Sequence, residues 1–279
     1  MGRPFLWIFS IGTALCGAII ALKGVPPFAI FLAMVLGIGP CTTTAINVLN
    51  GVFDIETDRI NKPDRPLIQG KLSKNEAIFA SAFLYTVSLV AAFFFGFWPF
   101  TFMSLGVILS IAYSVPPIRL KNLGLASNIA LAVGYSGITF IGGWSLFKSP
   151  FEITPEALTI LFLIVIQVTG ANVVKDFVDY EGDLNIGIRT IPVRFGIKKS
   201  VFIILPLMVG VYLTIPVIVF LGVFKLHYLF LSAFSLWGIF ILKKLYTANP
   251  SKRLRKKMFV HAFFMSLLTE IAFAAAYLL

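Results

Sequence analysis

The chain has 279 residues, of which 58% are apolar and only 13% charged, with a mean hydropathy of +0.94. An ordinary soluble domain carries about 25% charged residues, so this composition excludes one. It equally excludes a disordered chain, and two cysteines exclude a disulfide scaffold. In such a chain the net charge of +11 reads as positive-inside topology and contact with anionic headgroups, not as a nucleic-acid surface.

The apolar runs are long and continuous, whereas barrel strands alternate apolar and polar residues. The expected fold is therefore an all-α polytopic membrane bundle. A helix needs roughly 20 apolar residues to cross about 30 Å of hydrocarbon. Nine runs qualify, at about 5–22, 28–52, 74–95, 99–114, 122–147, 155–175, 199–221, 226–243 and 256–279. The first lacks a small-residue cleavage site and reads as a span, not a signal peptide. Pro26-Pro27 ends the first link, Gly96-Phe97-Trp98-Pro99 reads as a tight turn, and Pro116-Pro117 and Lys148-Ser149-Pro150 follow the fourth and fifth runs. Cys16 and Cys41 lie within apolar stretches and indicate neither a disulfide nor a zinc site. With the N-terminus inside and nine spans, 20 of the 23 Lys and Arg fall on the inner side; only Lys23, Lys148 and Lys225 fall outside. This predicts a multi-pass protein of the cell membrane with a cytoplasmic N-terminus.

Nine of the twelve acidic residues sit in two inner segments, 53–76 and 175–200. Asn47–Asp58 aligns without gaps to Asn172–Asp183, 125 residues later, with five identities in twelve positions. Each copy ends an even-numbered span, the second and the sixth. This predicts a duplicated four-helix unit within a single domain, with halves at about 1–121 and 122–248 and an added ninth helix at 256–279. Asp54 and Asp58 are i and i+4, as are Asp179 and Asp183, so on a helix each pair shares one face about 5–6 Å apart. Two such pairs facing each other form an oxygen cage suited to Mg²⁺, which keeps waters and takes phosphate oxygens as further ligands. One such pair reads equally as solvated loop charge; two copies at matching places do not, because carboxylates at membrane depth mark functional sites.

Basic residues follow each acidic motif. The first loop runs Arg59-Ile60-Asn61-Lys62-Pro63-Asp64-Arg65-Pro66, the second continues to Arg189 and Arg194, and the fourth span ends in Tyr113-Ser114-Val115-Pro116-Pro117-Ile118-Arg119-Leu120-Lys121. Carboxylates and guanidinium groups on one face fit a magnesium-bound diphosphate, with Arg as a bidentate clamp. The run from Lys252 to Lys257 reads as topology. His227, His261 and Glu270 read as packing groups and not as a general base.

These motifs resemble the UbiA superfamily of intramembrane aromatic and lipid prenyltransferases, whose first motif has the form N-D-x-x-D-x-x-x-D and whose second is D-x-x-D-x-x-x-D. Here they are Asn50-Gly51-Val52-Phe53-Asp54-Ile55-Glu56-Thr57-Asp58 and Asp176-Phe177-Val178-Asp179-Tyr180-Glu181-Gly182-Asp183. Gly51 stands where the family often has Asp. The segments 59–70 and 113–121 also resemble the family's loops. Within the superfamily, Arg3-Pro4, the Lys175–Asp183 run and Arg189-Thr190 most resemble the archaeal digeranylgeranylglyceryl phosphate synthases.

The resemblance implies Mg²⁺ on Asn50, Asp54, Asp58, Asp176, Asp179 and Asp183. It implies an isoprenyl diphosphate donor, geranylgeranyl diphosphate in that subfamily, with Lys121, Arg119 and Lys175 sharing the diphosphate's charge. It implies geranylgeranylglyceryl phosphate as acceptor, with Arg3, Arg65 and Arg189 as candidates for its phosphate, and a catalytic set of Asp54, Asp58, Asp179, Asp183 and Lys121. Two other readings stay open at this point: a prenyltransferase for an aromatic acceptor, and a cation-coupled secondary transporter. Against the transporter, the carboxylates lie at span ends beside basic loops, not at the midplane.

Overall fold

The computed structural model describes residues 4–247 and 250–279. Among these the chain is entirely helical. Nine helices are long and apolar enough to cross a membrane: Phe5–Leu22, Phe28–Phe53, Lys74–Phe94, Phe97–Ser114, Leu125–Trp144, Pro155–Ile186, Ile197–Phe220, Leu226–Leu245 and Lys252–Leu278. They arise because a chain with no water to bond its backbone must satisfy every N–H and C=O within the helix. Phenylalanines such as Phe79, Phe83, Phe94 and Phe220 are exposed on the outside of the bundle, where lipid would cover them.

Several boundaries shift by one to four residues from the sequence expectation, and two differences have a clear local cause. The fourth span begins at Phe97, with Gly96 as its cap at φ 114°, so Pro99 lies inside the first turn, where its missing N–H is no loss. The sixth span does not stop near residue 175. It continues as one helix of 32 residues to Ile186, from the Thr154 cap to Gly187 in the left-handed conformation. At 1.5 Å per residue it is about 48 Å long, well beyond the hydrocarbon thickness, so the second acidic motif rides on a rigid extension of the span.

The first span sits between the second, fifth and ninth, and the ninth also packs on the sixth. The approach of the first and fifth spans is very close. A Cβ at Gly17 would lie 2.0 Å from the Phe140 carbonyl oxygen, and one at Gly143 would lie 1.9 Å from that of Ala14, so only glycine lets these backbones meet. The main core gathers around the sixth to ninth spans and the first. The second to fifth spans enclose only small clusters; the sixth span is 67% buried and the fourth 11%. The difference marks a cavity. Two π-helical stretches, Gly37–Thr43 around Pro40 and Val133–Ile138, face it from the second and fifth spans. Such widened turns recur at functional sites.

Candidate active site

The second span ends at Phe53. Asp54 (φ −107°, ψ 15°) breaks the helix, and a short helix, Ile55–Asn61, carries the rest of the first motif. The Phe53 carbonyl accepts a hydrogen bond from Arg119 Nη2 at 2.9 Å. The turn after Asp54 keeps one rung, Asp58 N–H to the Asp54 carbonyl at 2.8 Å. The i, i+4 relation therefore survives across a kink instead of along one straight helix.

The short helix lies against the extended end of the sixth span. The contact depends on Gly182, where a Cβ would come within 2.2 Å of the Asn61 side chain. Asn61 Nδ2 in turn donates to the Asp179 carbonyl at 3.2 Å. This docking brings the two motifs together. Asp54, Asp58, Asp176, Asp179 and Asp183 are all at most 8% exposed.

Buried carboxylates need partners, and for Asp54, Asp58 and Asp179 cations from the loops and from the sixth span supply them. Lys121 Nζ lies 2.5 Å from Asp54 Oδ1, and Arg119 Nη2 lies 3.7 Å from the same atom. Arg65 pairs with Asp58. Lys62 Nζ stands between the motifs, 3.4 Å from Asp58 Oδ1 and 3.3 Å from Asp179 Oδ2, while Lys175 Nζ is 3.3 Å from Asp179 Oδ2. Asn128 Nδ2 donates to Asp176 Oδ2 at 3.0 Å, and Ser114 Oγ donates to Asn50 Oδ1 at 3.4 Å. Arg119 holds a left-handed backbone at φ 37°, ψ 60°, a conformation uncommon for a residue with a side chain and worth a functional reading.

Five aspartates and the five cations Lys62, Arg65, Arg119, Lys121 and Lys175 thus gather at one end of the cavity. That cavity runs from Ile46 and Tyr113, next to this cluster, to Phe95, Pro99 and Leu146 at the far ends of the spans. Its wall is apolar with a few hydroxyls, among them Thr42, Ser88 and Ser110. An oily tunnel that opens on a buried set of carboxylates and cations can hold an amphiphile by its tail and its anionic head.

A model of the UbiA prenyltransferase family matches residues 10–268 of the chain. The chain belongs to this family. A chloroplastic chlorophyll synthase of Oryza sativa subsp. japonica is 32% identical over 213 residues, covering 72% of this chain and 55% of that protein. The chain therefore spans little more than half the length of that relative. The digeranylgeranylglyceryl phosphate synthase of Methanosarcina mazei is 32% identical over 231 residues, 81% of this chain and 76% of that one. A solved structure of a digeranylgeranylglyceryl phosphate synthase superposes with a TM-score of 0.68 at 26% identity, covering 99% of this chain and 98% of that chain.

Of the residues singled out from the motifs, the UbiA fold gathers Asn50, Asp54, Asp58, Asp176, Asp179, Asp183, Lys175, Arg119, Lys121 and Arg65 around one mouth. Arg65 is turned to Asp58 and stands among the aspartates. Arg189 makes no ion pair with them and lines a neighbouring polar pocket. Arg3 lies outside the described residues. Magnesium suits the donor set chemically, since all the candidates are hard oxygens and the two motifs already share one cation, the Lys62 ammonium. Among the described residues no three Asp, Glu, His or Cys side chains close on one point.

Three participants were not read from the sequence. Lys62 is i+4 from Asp58, a spacing that could have flagged it. Asn128 is a lone amide in an apolar span, and Asn172 Nδ2 holds its carbonyl at 3.2 Å. Arg255 belongs to the run that read as plain topology, yet it is 3% exposed, pairs with Glu181 and lies over the Tyr180 ring, pinning the ninth span to the second motif. Glu270, His227 and His261 each make a hydrogen bond within the bundle. Thr13 donates to Glu270 between the first and ninth spans, and His227 and His261 bond the Ala276 carbonyl and Trp237.

Proposed function

We propose that the protein transfers a geranylgeranyl group from its diphosphate to the free hydroxyl of geranylgeranylglyceryl phosphate, giving an archaeal ether-lipid precursor. The allylic C–O bond breaks with its electron pair leaving on the diphosphate, the acceptor oxygen bonds to the carbon, and the hydroxyl proton passes to the released diphosphate. The observation that carries the reading is the cluster of five buried aspartates and five cations at the mouth of an apolar cavity.

Asp54, Asp58, Asp179 and Asp183, with Asn50 and Asp176 beside them, would hold Mg²⁺, whose charge offsets that developing on the leaving diphosphate. Lys121, Arg119 and Lys175 exchange their aspartate partners for diphosphate oxygens when substrate enters. The cavity wall excludes water, which would otherwise capture the allylic cation as an alcohol. The Methanosarcina mazei relative, matched over three quarters of its length, supports the glyceryl phosphate acceptor. The chlorophyll synthase of equal identity keeps an aromatic acceptor of the quinone, chlorophyll or haem pathways as a second reading.

The test is a product assay with membranes, Mg²⁺, labelled geranylgeranyl diphosphate and three acceptors: geranylgeranylglyceryl phosphate, hydroxybenzoate and a naphthoate. An acid-stable ether lipid is expected. A prenylated ring with no ether lipid would overturn the acceptor, and gradient-driven uptake without any product would point to a carrier. The site is proposed to face the cytoplasm. Single cysteines at Asn61, Asn122, Ser149 and Asn185, without Cys16 and Cys41, test this in sealed cells with an impermeant maleimide. Only Ser149 should label; labelling at Asn61 or Asn185 would reverse the topology.

A further inference from the structure

A second pocket, of about 620 Å³, opens beside the aspartate cluster. Its walls come from four segments that are distant in sequence. Arg59 and Glu56 come from the short helix, Lys74 from the start of the third span, Arg119 and Asn122 from the loop after the fourth, and Arg189 from the segment just beyond the sixth. Unlike the cations of the aspartate cluster, Arg59, Lys74 and Arg189 have no carboxylate within 4.0 Å among the described residues. Four cations therefore face one carboxylate, and three of the four have their charge uncommitted.

The backbone holds this arrangement. Gly187 turns left-handed at the end of the sixth span, and Ile188 N–H bonds back to the Asp183 carbonyl at 2.9 Å, which fixes the direction of Arg189. Gly124, at φ 59°, lets the loop after the fourth span approach so closely that a Cβ there would lie 3.1 Å from the Arg189 carbonyl oxygen. Arg119 is the wall shared with the first site. Its Nη2 bonds the Phe53 carbonyl and approaches Asp54, while its buried Nε has no hydrogen-bond partner among the described residues. The rim carries Ile55, Ile186 and Ile188, an apolar edge for the start of a lipid tail.

We propose that this pocket is a phosphomonoester subsite, in which Arg59, Lys74, Arg119 and Arg189 hold the phosphate of the amphiphilic acceptor while its head lies across Arg119 from the donor diphosphate. The proposal rests on the reaction above and adds the recognition element that separates a phosphate-bearing lipid acceptor from a neutral one. Guanidinium forks and an ammonium around one oxyanion are the groups that phosphate recognition uses, and Glu56 at the edge sets a limit on the anionic charge accepted.

The experiment uses purified protein in nanodiscs and measures binding of decyl phosphate, decanol, inorganic phosphate and geranylgeranyl diphosphate to wild type and to the triple variant R59Q/K74Q/R189Q. Wild type should bind decyl phosphate at least about tenfold more tightly than either decanol or inorganic phosphate, as expected for charge-assisted bonds plus a tail. The triple variant should lose that advantage while its affinity for geranylgeranyl diphosphate changes less than about twofold. Decyl phosphate binding that survives neutralisation would overturn the subsite. A parallel loss of geranylgeranyl diphosphate would assign the pocket to the donor, and equal binding of inorganic phosphate would remove the lipid from the proposal. Decyl phosphate, decanol and inorganic phosphate are neither substrate nor product of the proposed reaction, so the outcome at this pocket stands apart from the product assay that tests the reaction itself.

Discussion

The two acidic motifs share their spacing but not their backbone. The second lies on an unbroken helix of 32 residues, while the first is bent at Asp54, where the Phe53 carbonyl bonds Arg119. Their neutralisation differs accordingly. Asp179 is matched by Lys175 one turn earlier on its own helix, whereas Asp54 and Asp58 rely on cations from loops, namely Arg119 and Lys121 after the fourth span and Lys62 and Arg65 after the short helix. One motif is a fixed wall; the other is assembled by segments that must fold onto it. The same five-residue pattern thus gives a rigid and an adjustable half, and Lys62 is the joint between them.

The largest effect should come from the carboxylates themselves. Asp54→Ala, Asp58→Ala, Asp179→Ala and Asp183→Ala should each lower turnover by about a hundredfold or more, and EDTA should abolish it. If the variants of one motif kept full activity with normal folding, the two halves would not form one site. Gly182→Ala should follow, with about tenfold lower activity, because the added methyl drives Asn61 and its short helix away from the sixth span. Combining it with Asn61→Ala should restore most of the loss; failure of that rescue would show that Gly182 acts through something other than this contact. Lys62→Ala should cost about fivefold to tenfold, roughly the net value of one ordinary hydrogen bond, and should raise the KM for the diphosphate more than it lowers kcat. The smallest signal is dynamic. Amide exchange should be faster in 54–61 than in 176–183, and donor with Mg²⁺ should slow the first segment more than the second; equal protection without ligand would erase the contrast between an adjustable and a rigid motif.

Much of this was legible in the residues because the physics involved is local. A run of about 20 apolar residues in a membrane can satisfy its backbone only as a helix, so nine spans followed from composition and breakers. The paired aspartates followed from spacing, and Arg119 and Lys121 from their place after two prolines. The departures have equally definite causes. Pro99 read as a turn because its ring stops a helix interior, but at the first turn it is harmless. The sixth span read short because charge was taken as the end of the helix, whereas the helix itself needs only backbone bonds and continues until Gly187.

Composition, helix count and the identity of the acidic and basic groups belong to the sequence alone, since each depends on residues within a turn or two of one another. The pairings do not. A span that is apolar all round gives no periodicity to say which neighbour it touches, so the meeting of Gly17 with Phe140, of Asn128 with Asp176 (48 residues apart) and of Arg255 with Glu181 (74 apart) was settled by packing, as was the Thr13–Glu270 bond across 257 residues. Tertiary structure alone decided that Lys62 bridges the motifs, that Arg65 faces inward, and that Arg189 stands with Arg59 and Lys74 around a pocket of its own, because only three-dimensional proximity determines which charge neutralises which.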